Sequence, residues 1–159
     1  MLRNTVIVSI LVIAPLLAFS QNYNTAVGIR AGLSNGLTIK HFMSQNKALE
    51  GILSTRWGGW NITGLYEVDK PIDVDGLTWF YGIGGHLGLY DADAANRSPW
   101  FNSRTESVTI IGVDAIIGLE FTIPNAPINF QLDYKPGFNL VGNNSYWGDE
   151  GALSVRFTF

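Results

Sequence analysis

Apolar and polar residues alternate along most of the chain after residue 20, in segments of about ten residues separated by short runs of glycine, proline, asparagine and aspartate. Successive side chains of a β-strand point to opposite faces, so a period of two predicts strands with two different faces. The pattern predicts eight strands and an all-β fold. Their expected limits are 24–33, 37–43, 48–57, 60–68, 77–90, 108–122, 128–135 and 151–159.

Turn signals lie between several of these segments. Asn35-Gly36 is a strong hairpin signal because both residue types tolerate a positive φ, and Gly58-Gly59 offers a two-residue turn. A tight turn is expected at 124–127, where two prolines flank Asn-Ala. An even number of strands places both ends of the chain at one end of a barrel, so the long loops 91–107 and 137–149 share the opposite, external end.

The charged residues lie on the strand face that also carries glycines and other small residues, as in Gly28, Arg30 and Gly32. A crowded interior needs small residues, whereas a solvated outer face does not. The pattern therefore favours an inside-out arrangement with apolar residues towards lipid and charges within. We expect an eight-stranded, antiparallel, up-and-down transmembrane β-barrel, with Trp57 and Trp60 among the aromatic residues at its membrane interfaces.

The inward face of this barrel is expected to carry five basic and five acidic residues. An eight-stranded interior is just wide enough for side chains to fill it, and an unpaired charge there costs several kcal/mol. We therefore predict a network of salt bridges that plugs the interior. A narrow, gated pore is the alternative, although balanced signs argue against ion selectivity. The ten residues are Arg30, Lys40, Glu50, Arg56, Glu67, Asp114, Glu120, Asp133, Lys135 and Arg156.

Composition narrows the class of protein further. The chain has 159 residues, enough for one domain, and 47% of them are hydrophobic while only 14% are charged, against roughly 25% charged in soluble domains. Eighteen glycines and abundant aromatic residues favour strands over helices. There is no cysteine, and a net charge of −3 without any basic cluster argues against binding to nucleic acid.

The first twenty residues read as a cleaved signal peptide. Arg3 supplies the positive start, residues 5–17 form the apolar core, and Ala18-Phe19-Ser20 provides small residues for cleavage before Gln21. A membrane anchor is the rival interpretation, but about fifteen apolar residues interrupted by a proline fall short of the ~20 that a spanning helix needs. The predicted domains are thus a signal peptide at 1–20 and a barrel at 21–159.

Catalytic chemistry has one candidate, His86, which is predicted to face the interior. Some eight-stranded barrels modify lipid A with a histidine, a serine and an acid, and that chemistry needs a base within reach of a hydroxyl. No motif connects the histidine to a serine, so we expect a structural histidine and no catalytic residue. The serines of the outer loops are Ser98, Ser103, Ser107 and Ser145.

Metal binding has one weak candidate. Asp91 and Asp93 alternate at the start of an outer loop, where they resemble part of a calcium site, but two carboxylates supply too few oxygen ligands. We expect no metal and no cofactor.

The outer loops carry the residue types that are enriched at binding hot spots, namely aromatic residues and arginine. They are candidates for contacts with a surface ligand, and the alternative is that they pack against the barrel rim or lipid headgroups. These residues are Arg97, Trp100, Phe101, Arg104, Tyr146 and Trp147.

The end of the chain, Phe157-Thr158-Phe159, resembles the signal by which outer-membrane barrels are recognised for assembly, with Phe157 and Phe159 as its aromatic residues. The stretches 51–67, 112–121 and 132–139 resemble small outer-membrane barrel proteins of the Bacteroidetes, similar to the OmpX and OmpA barrels. The likeness covers most of the chain after residue 20. It implies the fold and a place in the Gram-negative outer membrane, and it implies no activity.

Our leading hypothesis from the sequence is a monomeric, non-enzymatic outer-membrane barrel that serves envelope structure or surface contacts. Its expected partners are outer-membrane lipid, lipopolysaccharide and the barrel assembly machinery. A narrow pore and a lipid A-modifying enzyme are the alternatives.

Overall fold

A computed structural model describes residues 23–98, 106–142 and 146–159. The expected signal peptide, Ser103, Ser145 and three of the loop candidates (Trp100, Phe101, Arg104) lie outside these residues. The elements in chain order are β1 Thr25–Gly32, β2 Asn35–Ser44, β3 Lys47–Arg56, β4 Gly59–Pro71, β5 Leu77–Tyr90, α1 Ala92–Arg97, β6 Val108–Thr122, β7 Ile128–Tyr134, β8 Gly137–Val141, β9 Tyr146–Trp147 and β10 Gly151–Thr158.

The strands close into one antiparallel barrel. Each strand from β1 to β6 pairs with the next, β10 pairs with both β1 and β7, and the β5–β6 pairing completes the ring. β7 and β8 together occupy one position in the wall, because both pair with β6. Between them, the amide of Ala115 donates to the carbonyl of Pro136 at 2.9 Å. The predicted eight-stranded antiparallel barrel is confirmed.

The observed strand limits agree best with the predicted ones in the strands where the alternation of apolar and polar residues is longest. β5 and β6 begin and end at the residues expected from the sequence, whereas β4 runs to Pro71, three residues beyond its expected end. Both long loops contain structure that the sequence did not predict: α1 in the first, and β8 and β9 in the second. These elements are too short to show a hydrophobic period.

The Asn35-Gly36 turn prediction is wrong in detail. The hairpin forms, but the chain bends at Leu33 and Ser34, and neither Asn35 nor Gly36 has a positive φ. The side-chain oxygen of Asn35 instead accepts a hydrogen bond from the amide of Gly32 at 3.2 Å. Gly36 is needed for space, because a Cβ there would overlap the carbonyl oxygen of Leu53 on β3.

The two-residue turn between β3 and β4 is displaced by one residue from its prediction. Trp57 and Gly58 form it, with φ values of 52° and 86°, as a type I′ hairpin turn requires. Gly59 already belongs to β4 and pairs with Arg56. Its missing side chain leaves room for the ring of Tyr90.

The two faces of the barrel wall have opposite polarity. Lys40 is fully buried, whereas Ile83 in the middle of β5 is 70% exposed. Most outward positions carry large apolar side chains, and the buried positions include ten or more charged ones. Among the described residues, none of the helices is long and apolar enough to span a membrane.

The two ends of the barrel differ in what they carry. We call the end with Tyr23, Phe159 and the turns at 45–46, 72–76 and 123–127 the terminal end. The opposite end carries the turn at 57–58, α1 and the β8–β9 hairpin, and we call it the loop end.

Candidate functional site: the charged barrel interior and its two ends

All ten residues expected inside the barrel are buried there, none more than 7% exposed. Nine of them, together with Asp69, His86 and Glu150, form two groups, and Arg56 lies apart with Asp149. The terminal cluster, nearer the terminal end, consists of Lys40, Glu50, Glu67, Asp69, Glu120 and Arg156. The loop cluster, nearer the loop end, consists of Arg30, His86, Asp114, Asp133, Lys135 and Glu150.

Lys40 is the centre of the terminal cluster. Its Nζ lies 3.0 Å from a carboxylate oxygen of Glu67, and 2.9 Å from oxygens of Asp69 and Glu120. The same ammonium lies 5.1 Å and 4.6 Å from the ring centroids of Phe42 and Phe80. Three carboxylates and two aromatic faces thus surround a single cation, which is how a desolvated ammonium is best stabilised.

Arg156 links Glu50, the carboxylate of this cluster that has no ion pair with Lys40, to the opposite wall of the barrel. Its Nη2 donates to Glu50, while Nη1 donates to Gln131 at 2.5 Å and contacts Glu120 at 3.5 Å. Thr38 donates a further hydrogen bond to Glu50 at 2.5 Å. Glu50 is therefore held by a cation and a hydroxyl.

Arg30 and Lys135 pair with the carboxylates of the loop cluster. Arg30 makes a bidentate bond to Asp133, at 2.5 and 2.7 Å, the geometry that adds most specificity to an arginine–carboxylate pair. Lys135 Nζ lies 3.3 Å from Asp114 and 3.4 Å from Glu150. Gln131 connects the clusters, because its Nε2 donates to Asp133 at 3.1 Å and to Glu50 at 3.4 Å.

His86 is held on both sides of its ring. Nδ1 lies 2.8 Å from an oxygen of Asp114, and Nε2 lies 2.8 Å from the amide oxygen of Asn139 on β8. Both contacts orient the ring inside the barrel. Of the candidate serines, Ser98 is buried where α1 ends and Ser107 is exposed.

The expected balance of five charges of each sign is wrong. Asp69 and Glu150 are also buried, at 4% and 2% exposure, so among the described residues seven carboxylates share the interior with five basic residues. Asp69 was missed because β4 continues past its expected end, and Glu150 because it comes one residue before β10 begins. Both keep the period of two of their strands, and extending the alternation by one step would have found them.

Arg56 belongs to the rim of the loop end. It donates two hydrogen bonds to Asp149, at 3.2 and 2.7 Å, and its guanidinium lies 4.1 Å from the ring centroid of Trp57. The hydrogen bonds from Arg56 hold the pKa of Asp149 below its ordinary value. The interior assignment of Arg56 is right, but its partner is a loop carboxylate whose side chain is 59% exposed.

Part of the interior is apolar, which the sequence did not predict. Four buried side chains from neighbouring strands β3 to β6 pack together on one side of the barrel wall. They lie on the same inward face as the charged residues, and the ion-paired ammonium of Lys40 lies over the ring of Phe80. The four residues are Ile52, Leu65, Phe80 and Ile116.

An apolar cap packs at the loop end. Ala94 and Ala95 of α1 are fully buried against Tyr90, Val108 and Ile110, at the loop ends of β5 and β6. The carboxylate of Asp91 accepts a hydrogen bond from the amide of Ala94 at 2.7 Å and so caps the helix. Asp91 therefore has a structural role as the helix cap. The described residues include no group of three acidic, histidine or cysteine side chains placed to hold a metal ion.

Two residues near the cap were assigned other roles in the sequence analysis. Trp57 packs partly buried against the cap, whereas Trp60 is 57% exposed on the outer face. Arg97 is exposed, and its guanidinium lies against Gly58 in the turn between β3 and β4. Of the remaining loop candidates, Tyr146 is 65% exposed, and Trp147 lies in β9.

The terminal end holds an open cavity of about 1200 Å³, which we call the terminal vestibule. Asp69 and Glu120 of the terminal cluster line it, together with Tyr23, Phe42 and the turns of this end. The hydroxyl of Tyr23 donates to Glu120 at 2.7 Å, and its ring packs edge-on against Phe42 at 5.4 Å. Burial and the nearby charge of Glu120 raise the pKa of Tyr23, so its hydroxyl stays neutral and remains a donor.

No family model matches the chain, and no curated protein matches its sequence. The resemblance to small barrels of the Bacteroidetes therefore stays a prediction, and function has to be argued from the barrel itself.

Proposed function

We propose that this protein is a non-enzymatic outer-membrane β-barrel of a Gram-negative envelope, which contributes to envelope structure or to contacts made at its loop end. One observation carries the proposal: the barrel buries its charges and exposes an almost continuous apolar outer face. Water-soluble monomers rarely expose a contiguous apolar patch larger than a few hundred Å². A hydrocarbon environment gives such a surface a favourable contact.

The height of the apolar face supports the same proposal. On β6 the outward residues are apolar from Ile111 to Phe121, and on β5 they run from Trp79 to Leu89 with only Gly85 between. Each run covers about ten residues, close to the ~9–11 that a tilted strand needs to cross a bilayer. Closure of the sheet satisfies the backbone hydrogen bonds of every spanning strand.

Aromatic side chains on the outer face lie towards the ends of strands. At the terminal end the rings of Trp79 and Tyr81 are 5.4 Å apart, and those of Phe157 and Phe159 are 6.4 Å apart. At the loop end Trp60 and Tyr146 are exposed. Aromatic residues at two levels separated by aliphatic ones are typical of membrane interfaces. With the loop end taken as external, Phe159 belongs to the periplasmic end, where the assembly machinery is expected to bind.

The interior supports a closed barrel rather than the alternative of a narrow pore. Ion pairs join opposite walls, as Lys40 on β2 does with Glu120 on β6, and an apolar cap packs at the loop end of β5 and β6. We therefore expect no steady conductance in single-channel recordings of the purified protein. Steady openings that change when Arg56 or Glu120 is neutralised would favour the pore instead.

The decisive experiment compares boiled and unboiled protein from the outer-membrane fraction on a detergent gel. A closed membrane barrel resists detergent until it is heated, so we expect a heat-dependent change in mobility. A single unshifted band found in the soluble periplasmic fraction would contradict the proposal, and the outer apolar face would then have to be covered by another protein surface.

A further inference from the structure

Glu67 differs from the other carboxylates of the terminal cluster in what surrounds its oxygens. Its side chain is fully buried, and among the described residues neither oxygen has a hydrogen bond from a donor group. Oε2 lies 3.0 Å from the ammonium of Lys40, but that ammonium already donates to Asp69 and Glu120, at 2.9 Å each. An ionised carboxylate at this position would therefore keep much of its desolvation cost.

A second carboxyl group lies beside Glu67 on the inward face of the barrel. Glu67 of β4 is in register with Ala48 of β3, and Glu50 is the next inward residue along β3. Diagonal neighbours of this kind lie about 7–8 Å apart between Cα atoms, within reach of long side chains. The two carboxyl groups are in hydrogen-bonding contact with each other. Such a contact contains one proton, because an ionised carboxylate is an acceptor only.

The hydrogen-bond partners of Glu50 decide which of the two groups carries that proton. Glu50 accepts hydrogen bonds from the guanidinium of Arg156 and from the hydroxyl of Thr38. Donors of this kind stabilise an ionised carboxylate, and Glu67 has none of them. The proton therefore belongs to Glu67, and the carboxylate of Glu50 accepts it.

The strands around Glu67 surround it with more negative than positive groups. β5 contributes no charge at this level, because Gly82 is in register with Glu67, and a Cβ there would lie 3.0 Å from its Cγ. Ionised Glu67 would be the fourth carboxylate beside two cations, so repulsion also favours a neutral acid. The charged groups of the other strands are Lys40 on β2, Glu50 on β3, Asp69 on β4, Glu120 on β6 and Arg156 on β10.

We propose that the terminal cluster is a binding site for one proton, which Glu67 carries at neutral pH and donates in a hydrogen bond to Glu50. The proton is a structural component of the interior, because without it two buried carboxylates would repel each other between β3 and β4. Binding is reversible and changes no covalent bond other than that to the proton. The site depends on the barrel interior and not on the membrane location proposed above, so either proposal can fail without the other.

The first test is infrared spectroscopy of the full chain at pH 7, folded in a detergent without ester or carboxyl groups. A protonated carboxyl group has a C=O stretching band that ionised carboxylates lack, and the band shifts in D₂O. Because exposed acidic side chains are ionised at this pH, we expect the band in the parent protein and its loss in Glu67→Gln. Absence of the band from the parent, or its persistence in the variant, would overturn the proposal.

Two identical substitutions beside the same ammonium provide a matched pair of variants for urea unfolding. Glu67→Gln keeps a donor for Glu50 and a carbonyl for Lys40, so the urea midpoint should stay close to that of the parent. Glu120→Gln brings an amide NH₂ group against Lys40 or Tyr23, which both donate to Glu120. It should lower the equilibrium constant for folding about 100-fold. Equal destabilisation by the two variants would mean that Glu67 is ionised as Glu120 is, and the proposal would be wrong.

Discussion

At the loop end of the barrel, α1 packs two fully buried alanines onto apolar residues of β5 and β6, and Trp57 adds its ring from the neighbouring turn. At the terminal end, inward positions carry Asp69 and Glu120, and the opening between the turns remains a cavity of about 1200 Å³. The first end is packed with apolar side chains, whereas the second places carboxylates beside an open cavity. Among the described residues, the two ends of the barrel therefore differ in the polarity of the side chains that border the interior.

The largest expected effect is a difference in the free energy of unfolding between a substitution in the terminal cluster and one at the rim of the loop end. Arg156→Met leaves Glu50 and Glu120 buried without one of their cations, which costs about 3–5 kcal/mol. Arg56→Met removes a pair with an exposed carboxylate, which costs about 0–1 kcal/mol. Urea unfolding in lipid vesicles, followed by tryptophan fluorescence, measures both. Equal losses would mean that the two ends do not differ in how deeply their charges are buried.

The next effect concerns the outer face between the two ends. Ile83→Arg places a charge in the middle of the apolar face and should cost about 2–4 kcal/mol if this level lies at the bilayer midplane. Val74→Arg, on the exposed turn of the terminal end, is the matched control and should cost little. Folding yield into vesicles is the measurement. A harmless Ile83→Arg would argue that this face does not meet lipid.

A smaller effect tests the cap of the loop end. Asp91→Ala removes the carboxylate that accepts the amide hydrogen of Ala94 and should destabilise α1 by about 1 kcal/mol. The terminal end should not respond, because the helix contacts only the loop side of the barrel. Hydrogen exchange measures this directly: amides around Tyr90 and Val108 should exchange faster, while those around Glu120 keep their rate. Faster exchange at both ends would contradict the expectation that loss of the helix cap affects the loop end alone.

The smallest effect is a pH dependence at the rim of the loop end. Because the folded protein holds the pKa of Asp149 below its ordinary value, ionised Asp149 stabilises the fold above its unfolded-state pKa, and this contribution is lost as the pH falls through the lower folded-state value. The residue is largely exposed, so we expect a fraction of a kcal/mol. Urea unfolding should show Asp149→Asn less stable than the parent at pH 7 and equal to it near pH 2. An unchanged difference at both values would exclude Arg56 as the cause.

The fold was largely predictable because alternation is a local signal. β5 and β6 carry the longest uninterrupted patterns, and their limits were found to the residue. Turn chemistry was less reliable: Asn35-Gly36 forms no positive-φ turn, and Gly36 instead lies where a Cβ would overlap the β3 backbone. α1 was missed because six residues stabilised by burial of two alanines leave no period to detect.

The sequence pattern predicted which charged residues face the interior, but it did not predict which residues they pair with. Period-two alternation identified ten buried charged residues, and stopping that period too early lost Asp69 and Glu150. The local pattern cannot show that the barrel ends differ, because the cap and the vestibule are assembled from turns and loops whose residues lie far apart in the chain.

Alternation along each strand determines which side chains face inward, because every second residue of a pleated strand points to the same side. The partners of the buried charges were decided only by closure of the ring and by its strand register. Lys40 meets Glu120 across 80 residues of chain, and Arg30 meets Asp133 across 103. Ion pairing acts over a few ångströms, and only the tertiary structure brings such distant residues that close.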